Sequence, residues 1–128
     1  MPARYVILKE QRLVVNIGWG RLIFDDFRNQ QNQLTNDPEF NPAFNQFVDI
    51  SQVTALDISV EQAKTVAMRG IYLPTSRRAV FASDPAIFGM ARMMDVYHAM
   101  ASGREQVRVF YDRKSALEWL GLKDLPPV

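Results

Sequence analysis

Cysteine is absent from the 128 residues, and there is one histidine, His98. The first absence excludes disulfides, zinc–thiolate centres and thiol catalysis. A single histidine leaves no basis for a zinc site, so no metal is expected. No run of five like charges occurs, which excludes a disordered acidic or basic tail. The formal net charge is +1, too small to mark a nucleic-acid partner. No apolar stretch approaches the ~20 residues that a membrane-spanning helix needs. Met1-Pro2-Ala3-Arg4 leads straight into a strand-like run with no secretory signal pattern, so a cytoplasmic location is expected. Gly-x-Ser-x-Gly, a phosphate-binding glycine loop and a paired-histidine motif are all missing. Asp49 and Asp57 could in principle share acid–base work. Each has a simpler role, closing a strand and bracing a turn. The chain reads as a non-enzyme without cofactor.

What is present is an ordinary globular composition, 48% apolar and 23% charged. This length suits one domain with one continuous core, here assigned to 1–122 with a tail at 123–128. Tyr5 to Leu8 and Leu13 to Ile17 flank a short polar turn and read as a hairpin. Leu13, Val15, Ile17 and Trp19 share one face of the second strand; Asn16 and Gly18 lie on the other. Gly18 and Gly20 are expected to loosen the chain before a helix. Leu22, Ile23, Phe27 and Leu34 follow helical spacing, with Asn29 to Gln33 as the wet face. Asn36-Asp37-Pro38 ends that helix.

A strand is expected from Phe44 to Ile50, then a polar turn to Ser59 and a helix from Val60 to about Arg69, stopped by Gly70. Ala79 to Ala82 is wholly apolar and suits a central parallel strand. Asp84-Pro85 has the residues of a helix start, aspartate capping and proline in first position, and predicts a helix to Ala101 with Gly103 beyond it. Val107 to Tyr111 makes the last strand. Asp112 caps a last helix in which Trp119 and Leu120, beside Ala116 and Leu117, anchor onto the sheet, and Gly121 ends it. The order β-β-α-β-α-β-α-β-α implies an α/β fold: a mainly parallel five-stranded sheet with four helices and one antiparallel edge strand.

This order, with "VDISQVTALDIS" between third strand and second helix, resembles the STAS domain, named for sulfate transporters and anti-sigma-factor antagonists. The similarity is to its SpoIIAA-like branch of small bacterial proteins, related in fold to CRAL-TRIO lipid carriers. "NDPEFNPAF", "DPAIFGMARMM" and "VRVFYDRKSALEWLG" carry the rest of the resemblance, which spans nearly the whole chain. It implies a SpoIIAA-like fold, and no catalytic signature accompanies it. In the phospho-regulated antagonists the turn resembles Asp-Ser-Ser-Gly, and the second serine accepts phosphate. Here the matching residues are Asp57-Ile58-Ser59-Val60, which makes Ser59 a candidate phosphoacceptor. Ser59 also stands three residues before Gln62, the spacing of a capping box.

The helix after Asp84 carries the widest apolar arc. Ile87, Met90, Ala91, Met94 and Tyr97 form its sheet-facing stripe, and Phe88, Met93, Val96 and Met100 lie to the sides. Four of the six methionines sit here, side chains suited to adaptable contacts. Gly89 weakens this helix by about 1 kcal/mol against alanine. A buried core helix and a helix covering a ligand cavity both fit these features. The candidate ligand-binding residues are Ile71, Tyr72, Phe88, Met90, Arg92, Met93, Met94 and Tyr97. Arg69, Arg77 and Arg78 are surface groups or headgroup partners, and His98 a surface or capping group. Two functions follow as expectations. One is a non-enzymatic module that holds a small apolar or amphipathic ligand, or contacts a membrane surface, beneath a mobile helix. The other is a regulatory protein–protein switch acting through Ser59. The partners to consider are that ligand or membrane, a protein partner, and a second copy forming a homodimer.

Overall fold

A sheet of five strands, ordered in space as they are in sequence, organises the computed structural model, which describes residues 2–102 and 106–128. The elements are β1 (Ala3–Leu8), β2 (Leu13–Ile23), α1 (Phe24–Thr35), β3 (Asn45–Asp57), α2 (Val60–Met68), β4 (Arg78–Phe81), α3 (Pro85–Ser102), β5 (Val107–Phe110) and α4 (Arg113–Trp119). β1 and β2 pair antiparallel, and every other neighbouring pair is parallel. Because each crossover from β2 to β5 moves one strand in the same direction, crossovers of one hand bring α1, α2 and α3 to the same face. α4 covers the other. Met1 and Gly103 lie outside the described residues.

Alternation assigns the strand residues to the two layers. Leu13, Val15, Phe47 and Ala79 point to α4, where Ala116, Leu117 and Leu120 meet them. Val48, Ile50, Val53, Leu56 and Ala82 point the other way, packed with Ile87 and Ala91 of α3. Trp119 also packs against this layer, its ring centroid 5.8 Å from that of Phe110 of β5. It is half-buried, with Arg77 and Arg108 over its ring at 5.3 and 5.8 Å, while Leu117 and Leu120 supply the buried contact of α4.

Two expectations about boundaries are corrected. β2 runs through Gly18 and Gly20 to Ile23, so Leu22 belongs to a strand and α1 begins only at Phe24. Gly18 is needed for close approach, since a β-carbon there would lie 3.2 Å from Leu22 Cδ1. β3 runs through the supposed polar turn to Asp57. The reason lies in its pairing with β2. Ile17 faces Asp49 but Trp19 faces Gln52, and Gly20 faces Val53 but Arg21 faces Ala55. β3 therefore holds one extra residue at each shift, a pair of β-bulges. Ile50, Val53 and Leu56 are all buried at a spacing of three, which hides the strand from a search for period two. Asp49 and Asp57 consequently flank no turn. Asp49 accepts from the amide and hydroxyl of Ser51, and Asp57 pairs with Arg21.

The helix ends follow the sequence closely. Asp84 accepts from the amides of Ala86 and Ile87, and Asp112 from that of Ser115. Gly70 and Gly121 take φ of +60° and +79° just after α2 and α4, the left-handed conformation that closes a helix. At α2 the capping box forms in full. The Gln62 amide donates to Ser59 Oγ at 3.1 Å, and the Ser59 amide donates to Gln62 Oε1 at 2.9 Å. Ser59→Ala should lower stability by about 1 kcal/mol, while Ser59→Asp, which keeps an acceptor at the positive helix end, should lower it much less. Denaturant melts of the two variants check this; equal losses would remove the capping role.

Candidate functional site

Parallel pairing places three polar side chains on the face that α1, α2 and α3 cover. Gln46 of β3 faces Arg78 of β4, and Asn16 of β2 stands one step along, opposite Val48. The next positions up the same face are Gly18, Val48 and Val80. A polar row therefore crosses the foot of an apolar layer. Above it lies a partly open cavity of about 210 Å³. Val48, Ile50 and Val80 of the sheet, Phe27 of α1, Val66 of α2 and Met94 of α3 form its apolar wall. Tyr72, Gln30 and His98 close over the polar row.

The polar side chains form a directed chain. Gln46 Nε2 donates to Asn16 Oδ1 at 2.6 Å, and Asn16 Nδ2 donates to Gln30 Oε1 at 2.7 Å. The chain ends on Gln30 Nε2, which is buried and has no partner among the described residues. Two further buried groups share that condition, Tyr72 OH and Arg78 Nε. All three residues line the one cavity. Buried polar groups are nearly always hydrogen-bonded, so three exceptions around one cavity make it the candidate site.

The surrounding structure holds these groups in position. Ser76 Oγ and the Leu73 amide both donate to the Pro42 carbonyl, at 2.8 and 2.9 Å, and fix the loop that carries Tyr72. The Tyr72 ring meets Phe40 edge-on at 5.3 Å and lies under the Arg78 guanidinium at 5.4 Å. Burial raises the tyrosine pKa, and the arginine charge opposes that rise. Burial also lowers the pKa of Arg78, while Tyr72 and Asp95 act to raise it. Arginine stays charged under any such shift.

His98 connects this cluster to the helices. Its Nδ1 lies 3.2 Å from the Ala67 carbonyl, and its Nε2 faces Arg78 Nη2. The tautomer protonated at Nδ1 satisfies both contacts, donating to Ala67 and accepting from Arg78. The end of α3 is thereby tied to α2 and to the sheet. Burial first, and the Arg78 charge second, hold the His98 pKa below its ordinary value of 6.5.

Three of the eight candidate binding residues, Ile71, Tyr72 and Met94, line the cavity. The other five are elsewhere. Phe88 stacks on Tyr111 with ring centroids 3.7 Å apart, Met90 packs into the core beside Ile87, and Tyr97 lies under the Lys64 ammonium. Arg92 is exposed and Met93 half-buried outside the cavity. Ser59, at the far end of α2, does not line it. Arg69 reaches Gln31, and Arg77 donates to the Trp119 carbonyl, so of the arginines weighed as headgroup partners only Arg78 enters. Asn16, Gln30 and Gln46 were not among the candidates. A polar residue at an inward strand position was the available signal for Asn16 and Gln46. Gln30 is buried, although it sits in the stretch read as the wet face of α1. Among the described residues, no cluster of three metal-ligating side chains occurs and no helix is long and apolar enough to cross a membrane.

The fold has a counterpart among solved structures. An uncharacterised protein of the DUF3478 family from Shewanella loihica PV-4, with a SpoIIAA-like fold, superposes with a TM-score of 0.60 at 14% identity. The match covers 92% of this chain and 93% of the other. No family model matches the sequence, and no curated protein matches it. The chain has a SpoIIAA-like fold; at this identity the likeness shows the fold alone.

His98 makes stability depend on pH. A histidine whose pKa is lower folded than unfolded binds fewer protons in the native state, so stability rises with pH through that window. Its contribution should be complete above pH ~6.5 and decline as the pH falls below that value. Chemical denaturation at a series of pH values should show this slope, and His98→Gln should flatten it. An unchanged slope in the variant would assign the dependence to other groups.

Proposed function

We propose that this protein is a non-enzymatic binding module that takes a compact, partly apolar small molecule into the cavity between the sheet and α1–α3. The observation that carries this reading is the 210 Å³ space itself, apolar along most of its wall, in a layer that would otherwise be solidly filled. A dry apolar cavity of ~150 Å³ accepts benzene, so this one suits a guest of roughly ten non-hydrogen atoms. That size favours a short-chain or single-ring compound over a bilayer lipid. The wall of the cavity is mainly apolar, and its polar lining combines the donors Arg78, Tyr72 and Gln30 with the carboxylates Asp26 and Asp95. The one histidine is engaged by Arg78 and Ala67, which supports binding rather than turnover.

Entry is expected at α3. A β-carbon on Gly89 would meet nothing within 4 Å, so close packing does not account for this glycine. It leaves a weak point in a helix held at one end by the Phe88–Tyr111 stack and at the other by His98. Such a helix can move on its ends while the sheet stays fixed.

The regulatory reading through Ser59 rests on one feature, an exposed hydroxyl at the positive end of α2. That hydroxyl already caps the helix, and Asp57 two residues earlier is negative. The SpoIIAA-like fold is compatible with either reading, and the cavity favours the binder.

The neutral probe 1-octanol tests the proposal. Ligand-observed NMR should show saturable binding to the wild-type protein. Met94→Trp, which fills the cavity, should abolish it while circular dichroism and thermal melting show a folded domain. Undiminished binding by the folded variant, or no saturable binding to the wild type, would overturn the reading.

A further inference from the structure

The guest's polar end can be specified from the three buried groups without partners. We propose that the cavity selects a monocarboxylate, its oxygens held by Arg78 Nε, Tyr72 OH and Gln30 Nε2. This rests on the binding-module reading and adds the chemical class of the ligand.

The argument begins with what each atom can do. Arg78 Nε and Gln30 Nε2 are donors only, and the tyrosine hydroxyl can donate. The chain of amides from Gln46 through Asn16 donates at every step towards Gln30, so the Gln30 NH₂ is the end left without a partner beside the cavity. A group able to satisfy three donors together must carry at least two acceptor lone pairs and need not donate. A carboxylate meets that requirement with two oxygens, whereas an alcohol or amine spends part of its capacity as a donor.

Charge then narrows the class. Arg78 brings one positive charge into a buried setting, where a charge-assisted hydrogen bond is about twice as strong as a neutral one. Asp95 of α3 and Asp26 of α1 also line the cavity, and Asp95 acts on Arg78. These carboxylates oppose the double charge of a phosphate monoester more than the single charge of a carboxylate. His98 contributes none while it stays neutral, as its depressed pKa favours.

Position sets the ligand's orientation. Arg78 stands on the polar row, with Val80 next along the same strand face and Val48 beside it. A carboxylate on that row directs the rest of the molecule up the apolar wall towards Ile50 and Met94. The volume limits that tail to a medium chain or a single ring.

Isothermal titration at pH 7 with octanoate, 1-octanol, hexyl phosphate and hexadecanoate separates the possibilities. Octanoate should bind at least about tenfold tighter than 1-octanol, the preference that hydrogen bonds to a charged group confer. Hexyl phosphate should bind more weakly than octanoate, and hexadecanoate should not enter. Tyr72→Phe, which keeps the ring packing, should weaken octanoate severalfold and leave 1-octanol unchanged. Arg78→Met should remove the preference for the acid; Tyr72→Phe keeps the test open if that variant fails to fold. Equal affinities for octanoate and 1-octanol, or a Tyr72→Phe variant that binds octanoate as well as the wild type, would overturn the carboxylate assignment and leave the cavity as a neutral-ligand site. Tighter binding of hexyl phosphate would replace carboxylate by phosphate. Failure of all four probes would overturn both the assignment and the binding-module reading.

Discussion

The register of three parallel strands is the constraint on which the rest of the structure depends. Pairing Gln46 with Arg78, and setting Asn16 one step along, puts three polar side chains in one row of a face that helices must cover. Burying such groups is costly unless each finds a partner, and the helices and loops around the row are arranged accordingly. Gln30 of α1 receives the Asn16 amide, Tyr72 lies against Arg78, and His98 of α3 accepts from the same arginine. Slipping any one of these strands by one residue would turn its member of the row to the other face, the side of Leu117 and Leu120. The row therefore specifies alignment, and its unfilled hydrogen bonds create the chemistry of the cavity.

The same row explains why α3 has its particular character. A helix that only sealed the sheet would bring apolar side chains along its whole length. α3 does so at Ile87 and Ala91, where burial is nearly complete. Further along it presents Met94, Asp95 and His98 to the cavity, and Val96 and Met100 are exposed. Its grip on the sheet is thus apolar at the beginning and polar towards the end. Hydrogen bonds in the second half can exchange with solvent more readily than packed side chains can be pulled apart, and on the proposed binding reading that half of the helix is the gate.

Much of the fold was legible in the sequence because it is written in local signals. Asp84-Pro85, Gly70, Gly121 and the Ser59/Gln62 box each act within one turn of chain, and their elements lie where those signals put them. The alternation in β2 and the apolar run at Ala79 were equally direct. Two segments misled: Leu22 and Ile23 share helical spacing with Phe27 yet end β2, and Ser51 to Asp57 hides its strand because two bulges change its burial spacing from two to three, a property of the pairing. The site was legible only in part. Ile71, Tyr72 and Met94 could be found through an apolar loop and a methionine-rich helix. Gln30 read as part of the wet face of α1, and Asn16 and Gln46 were not singled out, because the company they keep depends on strands and a helix far apart in sequence. Arg78 appeared as one of a pair in a loop, yet Arg77 turns outward to Trp119 while Arg78 opens β4 facing inward.

The most direct measurement is a ¹⁵N–¹H NMR spectrum that resolves the Arg78 Nε–H and the Gln30 side-chain NH₂, recorded as octanoate is added. With the carboxylate on these donors, both signals should move downfield in a saturable way and exchange more slowly with solvent. If both stay in place while octanoate shifts signals elsewhere on the protein, the donors are not the ligand's anchor and the central claim is wrong.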